Sequence, residues 1–215
     1  MRISRHFTLL GTALVSVFCA SCAGYQAAYT IPLKNVRAVA GANDIHALAM
    51  SNPAQAAKLD AADDIEHFRH EAFGLTAHLT PHDIQITLTN TSSEPITLDW
   101  KNGVYVDENG KEFGIVRSDV HPRFTDQMQP VSIVQPGQTI IERCYPTKCI
   151  VQFGRSFSVY PLLPSGALGN GDALNTQLHT LIGKELRLLL PLRVGAKEYS
   201  VSMEFVIRHA AILPQ

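Results

Sequence analysis

The sequence is short of the features by which most enzymes and nucleic-acid-binding proteins announce themselves. Charge of one sign is missing: 18 Lys+Arg stand against 19 Asp+Glu in 215 residues. Such a chain has no long-range field to gather nucleic acid or an acidic surface. No basic stripe interleaved with aromatics occurs, so no nucleic-acid partner is expected. A phosphate-binding loop is absent, since Gly169-Asn170-Gly171 lacks the Lys and Ser/Thr that hold phosphate and magnesium. Pro164-Ser165-Gly166 lacks the preceding glycine of a nucleophile elbow. The carboxylate pairs Asp63-Asp64 and Asp107-Glu108 suit a helix surface and a turn rather than acid–base work. The expectation is therefore a protein that is not an enzyme and carries no cofactor. Long hydrophobic runs are missing as well. The longest uncharged apolar stretch lies between Phe7 and Phe18, too short for a membrane span, which takes roughly 20 residues.

That stretch belongs to an ordered N-terminus. Arg2 and Arg5 form a basic region, Phe7 to Phe18 an apolar core, and the small residues Ala20 and Ser21 precede Cys22. This is the layout of a secretory signal. The segment Cys19-Ala20-Ser21-Cys22 resembles the lipobox of bacterial lipoproteins, in which two small residues precede the cysteine that receives lipid. The family prefers Leu three residues before that cysteine, where this chain has Cys19. Cys22 is favoured over Cys19 because Phe18 is too large for a cleavage position.

The resemblance implies lipid attachment at Cys22, with acyl chains such as palmitate. Several chains on one cysteine hold a protein firmly, where one chain holds it marginally. Ala23 rather than Asp after the cysteine implies sorting to the outer membrane, with the domain facing the periplasm. Ordinary signal cleavage after Ala23 is the competing reading.

Two of the four cysteines lie in this segment, which leaves Cys144 and Cys149. An even pair in an exported chain reads as a disulfide, with Pro146 favouring a turn between them. A redox pair would have two intervening residues rather than four, and a zinc site needs further ligands. Two unpaired thiols are the alternative.

The body divides into a lipidated tether over 22–50, a helical segment over 51–74 and a β domain over 75–210, after a signal peptide over 1–21. Residues 23–50 are rich in Ala and other small residues. Ser51-Asn52-Pro53 resembles a helix start, and Ala57, Ala61, Ile65, Phe68 and Ala72 recur at helical spacing. His67 and His70 would then lie near one helix face, a weak candidate for metal binding.

From residue 75 the period becomes two. Ile84, Ile86 and Leu88 alternate with polar residues, and so do Ile96, Leu98 and Trp100, which predicts a hairpin through the turn 90–95. A second hairpin is predicted around Asp107-Glu-Asn-Gly110. Further strands are expected over 131–134, 139–144 and 150–153, then a loop over 163–175. At the end, Leu186, Leu188, Leu190, Leu192 and Val194 face Tyr199, Val201, Met203, Phe205 and Ile207 across a turn at Gly195-Ala196, with Ser200, Ser202 and Glu204 outside. Pro191 has no N–H, which predicts an edge or a bulge there.

Short strands with frequent turns and no interleaved helices predict a mainly β fold, an antiparallel sandwich. The order is similar to small immunoglobulin-like domains of bacterial envelope lipoproteins. That resemblance rests on the Asn90-Thr-Ser turn, Asp99-Trp100, Asp107-Glu-Asn-Gly110, Val134-Gln-Pro-Gly137 and the final hairpin, and it implies no active site. The antibody-type order Cys, Trp, Cys is absent, since both body cysteines follow Trp100.

The functional expectation is a membrane-anchored envelope lipoprotein with an interaction or structural role and an envelope protein as partner. The alternatives are metal or ligand binding at the histidines, or a surface-exposed adhesin. The loops 116–129 and 164–175 and any open edge strand are the expected contact regions.

Overall fold

The computed structural model describes residues 24–41, 67–124, 129–168 and 171–214. The strands are β1 (Gly24–Thr30), β2 (Leu33–Ala40), β3 (Phe68–Arg69), β4 (Phe73–Leu79), β5 (Ile84–Asn90), β6 (Ile96–Leu98), β7 (Val104–Val106) and β8 (Glu112–Arg117). They continue as β9 (Ser132–Val134), β10 (Thr139–Pro146), β11 (Ile150–Phe153), β12 (Ser156–Val159), β13 (Gly166–Leu168), β14 (Glu185–Val194), β15 (Lys197–Val206) and β16 (His209–Pro214). Among the described residues one α-helix, α1 (Gly171–Leu181), precedes β14. The fold is mainly antiparallel β, as the alternating sequence predicts.

Eleven strands form one sheet in the order β2-β15-β14-β7-β8-β10-β5-β4-β3, with β6 and β9 branching from β14. The sheet curls until its ends meet. His70, between β3 and β4, lies with its ring 5.1 Å from that of Tyr199 on β15, and Phe73 lies 6.0 Å from Tyr199. The result is a sandwich closed almost into a barrel. One core fills it, including Phe73, Ile86, Leu88, Trp100, Ile115, Leu188, Leu190, Val201, Met203 and Phe205.

The final hairpin forms in the predicted register: Leu186 opposite Phe205, Leu188 opposite Met203, Leu190 opposite Val201 and Leu192 opposite Tyr199. Its turn places Gly195 at φ 55°, a conformation that glycine adopts without steric cost. Ser200, Ser202 and Glu204 do lie on the other face, but they are buried rather than wet. Val104, Val106 and Leu189 form a second small apolar cluster of their own.

Several expectations are corrected. β5 and β6 are not a hairpin: β5 pairs with β4 and β10, while β6 pairs with β14 and β9. The turn 91–95 instead carries the chain from one part of the curled sheet to another, and the turn around Gly137 carries it back. Alternation shows which face is buried but does not name the partner strand.

Pro191 lies in a central strand. Its neighbour changes there from β7, which reaches Leu189, to β6, which begins at Leu192. The Pro191 carbonyl accepts from the Asp99 N–H at 3.1 Å, so its missing N–H falls in the fork between β6 and β7. A proline is tolerated where no ladder bond was available.

The tether reading fails for 24–30 and 33–40, which are strands, while 42–50 lie outside the described residues. Their small residues fit close pairing with β13, β15 and β16. The helical segment lies outside the described residues over 51–66, and 67–74 are not helical. The expected loop over 163–175 instead contains β13 and the start of α1, which buries Leu174, Leu178 and Leu181 at spacings of four and three.

The small sheet β13-β1-β16 caps one end of the barrel together with α1. β1 leads into β2 and β15 leads into β16, so the cap continues the same pair of strands around a corner. β11 and β12 form a separate two-stranded sheet.

Candidate functional site

The fork at Pro191 opens a groove of about 990 Å³ on the outside of the barrel. The loop 99–103 forms one wall. Asp99 shapes that loop, accepting from the Lys101 N–H at 3.1 Å and from the Asn102 side chain at 2.7 Å. Gly103 lets the loop approach the core, because a Cβ there would lie 2.3 Å from Ile115 Cδ1. Val104, Phe113, Pro191, Tyr199 and Ser200 also line the groove. Its charged groups are Asp99, Lys101, Glu112, Arg193 and Glu198. A second hollow of about 560 Å³ continues from Asp99 and Lys101 to Gln129, Pro130 and Val131.

A polar network braces this region from inside. The Trp100 indole N–H donates to Ser132 Oγ at 2.8 Å, and Ser132 donates to Glu142 at 2.6 Å. Arg117 donates to Ser132 at 3.1 Å and pairs with Asp119. Gln129 donates to the Ile115 carbonyl at 2.7 Å and accepts from the Arg117 N–H at 3.0 Å. The hydrogen bond from Arg117 holds the Asp119 carboxyl below its usual range. Each polar group of this network is thereby paired, which fixes β9 and the short segment before it against β8 and β10.

Both signs of charge stand beside apolar surface in an open trough. That arrangement suits an extended polypeptide better than a polyanion or a small apolar ligand.

Exposed apolar side chains gather in two further places. Val131 precedes β9 and Ile133 lies within it, and among the described residues β9 pairs with β6 alone. Val151, Phe153 and Tyr160 are exposed on the β11–β12 hairpin, where the Phe153 and Tyr160 rings lie 6.4 Å apart.

Cys22 lies outside the described residues. Cys144 and Cys149 are both buried free thiols, so the expected disulfide does not form. β10 stays extended through Cys144, Tyr145 and Pro146, and the chain turns only over 147–149. The strand thus carries the chain away from Cys144 before it can fold back. Burial pushes the Cys149 thiol up to about 11, against the pull of Lys148, and raises Cys144 as well.

Beside Cys149, Lys148 Nζ stands 3.4 Å from Glu108 and 3.8 Å from Asp107, and 5.2 Å from the centre of the Tyr105 ring. The buried Tyr105 hydroxyl has no hydrogen-bond partner.

His67 and His70 do not share a helix face. His67 is exposed before β3. His70 stacks on Phe73 at 4.7 Å and accepts the Ala72 N–H at 3.2 Å, so it closes the barrel. Among the described residues, no three His, Cys, Asp or Glu side chains converge as a metal set. None of the described helices is long and apolar enough to cross a membrane.

The sequence alone missed the groove, because its walls come from segments nearly a hundred residues apart. The local signals that could have pointed to it are Pro191 in a strand and the Asp99-Trp-Lys-Asn-Gly103 turn. No protein-family model, curated protein or solved structure matches this chain.

Proposed function

We propose that this chain is a bacterial envelope lipoprotein, held on the outer membrane by lipid on Cys22 and facing the periplasm, whose β domain is a non-catalytic interaction module. The address is supported by the basic, apolar and small-residue order that ends at Cys22. The observation that carries the interaction role is the groove at the fork, open and lined by both charges and apolar surface. It would take an extended segment of an envelope protein.

A photo-crosslinking residue placed at Lys101 or at Val131 in the lipidated chain tests the role in intact cells. One discrete crosslinked protein is expected from both positions, lost on Arg193→Glu and absent from position 179 on the exposed face of α1. No discrete product, or the same products from position 179, would contradict an interaction role for the groove.

A further inference from the structure

Covalent geometry limits how far the domain can stand from the lipid. β1 is already paired at Gly24, opposite Leu168. Only Ala23 separates it from Cys22. Consecutive Cα atoms are about 3.8 Å apart, so the Cα of Cys22 lies within about 8 Å of the sheet. The headgroup zone on one side of a bilayer is of the same order, since a core of about 30 Å sits within about 40–45 Å overall. No tether is left to hold the domain off the surface.

An independent feature marks the same sheet. β1, β13 and β16 have 7, 3 and 6 residues, and none of them is Asp, Glu, Lys or Arg. Elsewhere the chain is well supplied, with 17% charged residues overall. Tyr25, Ala27 and Tyr29 pack against the core, so Gln26, Ala28 and Thr30 face outward. Across the ladder they meet Leu213, Ala211 and His209. Leu213 is 51% exposed. Charges carry the largest desolvation cost near a low-dielectric surface, and a face without them avoids it.

The sheet is also firmly seated. The Tyr29 hydroxyl donates to the Pro164 carbonyl at 2.5 Å. Tyr25 packs so closely on the start of α1 that a Cβ on Gly171 would lie 2.9 Å from its ring.

We propose that the outer face of the β13-β1-β16 sheet is the surface this protein lays against the bilayer headgroups. The proposal rests on the lipidation of Cys22. It also orients the groove. β15 runs 10 residues from Lys197 to Val206 before the chain enters β16, a rise of about 30 Å. Arg193, Glu198 and Tyr199 lie at the Lys197 end, so that part of the groove stands away from the membrane.

The test uses the full lipidated chain in vesicles that contain a headgroup-linked quencher. Mass spectrometry of the N-terminal peptide from the same preparation records whether Cys22 carries lipid. Single reporters are attached at Leu213→Cys, His209→Cys and Lys197→Cys, all exposed positions, while Cys144 and Cys149 are buried.

With lipid on Cys22, several-fold stronger quenching at 213 and 209 than at 197 is expected. Equal quenching at all three positions overturns the proposal and leaves the anchor intact. So does quenching at 213 without 209, which would mean end-on attachment. An unlipidated peptide overturns the anchor, and the proposal with it.

Discussion

Asn90 is the residue on which the crossing of the chain depends. It is fully buried, and its side-chain N–H groups donate to the carbonyls of Val134 at 2.9 Å and Glu94 at 2.8 Å. Its side-chain oxygen accepts from the Ser92 N–H and hydroxyl. Its backbone N–H donates to Gln138, and its carbonyl accepts from Gly137. One side chain thus pins both places where the chain changes partner strands.

Asn90→Ala takes away the side-chain donor to the buried Val134 carbonyl and the acceptor that holds Ser92, and is expected to cost about 3 kcal/mol, or roughly 10 °C in Tm for a chain of this size. Asn90→Asp should cost more, because it turns a carboxylate toward two carbonyl oxygens. Thermal melts of the two variants check this, and a change within about 0.5 kcal/mol for both would contradict it.

The sequence shows Asn90 only as a turn residue. Its role depends on Val134, 44 positions away, and local spacing cannot reveal that.

The thiols give a second prediction at this scale. Both have raised pKa values, so both are neutral in the native protein at pH 8. Neither should react with a maleimide until the chain unfolds, and then both should react. A disulfide would leave neither reactive even in denaturant.

Linkage fixes the sign of the pH dependence. The stability held by the neutral thiols is fully present below the ordinary thiol value of about 8.5. It is lost as pH rises toward about 11 at Cys149. Denaturant midpoints should fall over that window, and Cys149→Ser should flatten the fall.

Among the elements, stability is unevenly spread. β14 and β15 share a ten-pair ladder over the core, whereas β11 and β12 pair only with each other over four residues. Ile150 packs against the core and Phe157 makes a T-shaped contact with His121 at 6.2 Å, but residues 151–156 are exposed. An isolated two-stranded hairpin is marginal in water. Backbone amides of residues 151–158 should therefore exchange with solvent far faster than those of β5 and β14. Hydrogen exchange resolved by peptide measures this; equal protection would show that something covers the hairpin.

How well an element could be read from the sequence follows from its residues. β5, β14 and β15 alternate large apolar and polar side chains, and all three form as expected. β1 uses Ala and Tyr, and β2 mixes Ala and Val with Lys, Asn and Arg, and the pattern resembles a tether. α1 hides behind Pro164, Gly166 and Gly171, although Leu174, Leu178 and Leu181 carry the helical period.

Across the whole molecule, the proposed lipid anchor and the fold can be joined in one arrangement. The β domain begins two residues after Cys22, so a chain anchored as proposed would lay an uncharged sheet at the membrane and hold the Arg193 end of the groove away from it. The lipobox-like segment ending at Cys22 was legible because it is a local motif. The groove was not, because it exists only once β14 lies between β6 and β7 on one side and β15 on the other.

The central claim is the anchor. Mass spectrometry of the mature N-terminal peptide from the membrane fraction tests it most directly. The account predicts a peptide that begins at Cys22 and carries acyl chains. A peptide beginning at Gly24 without lipid would contradict it.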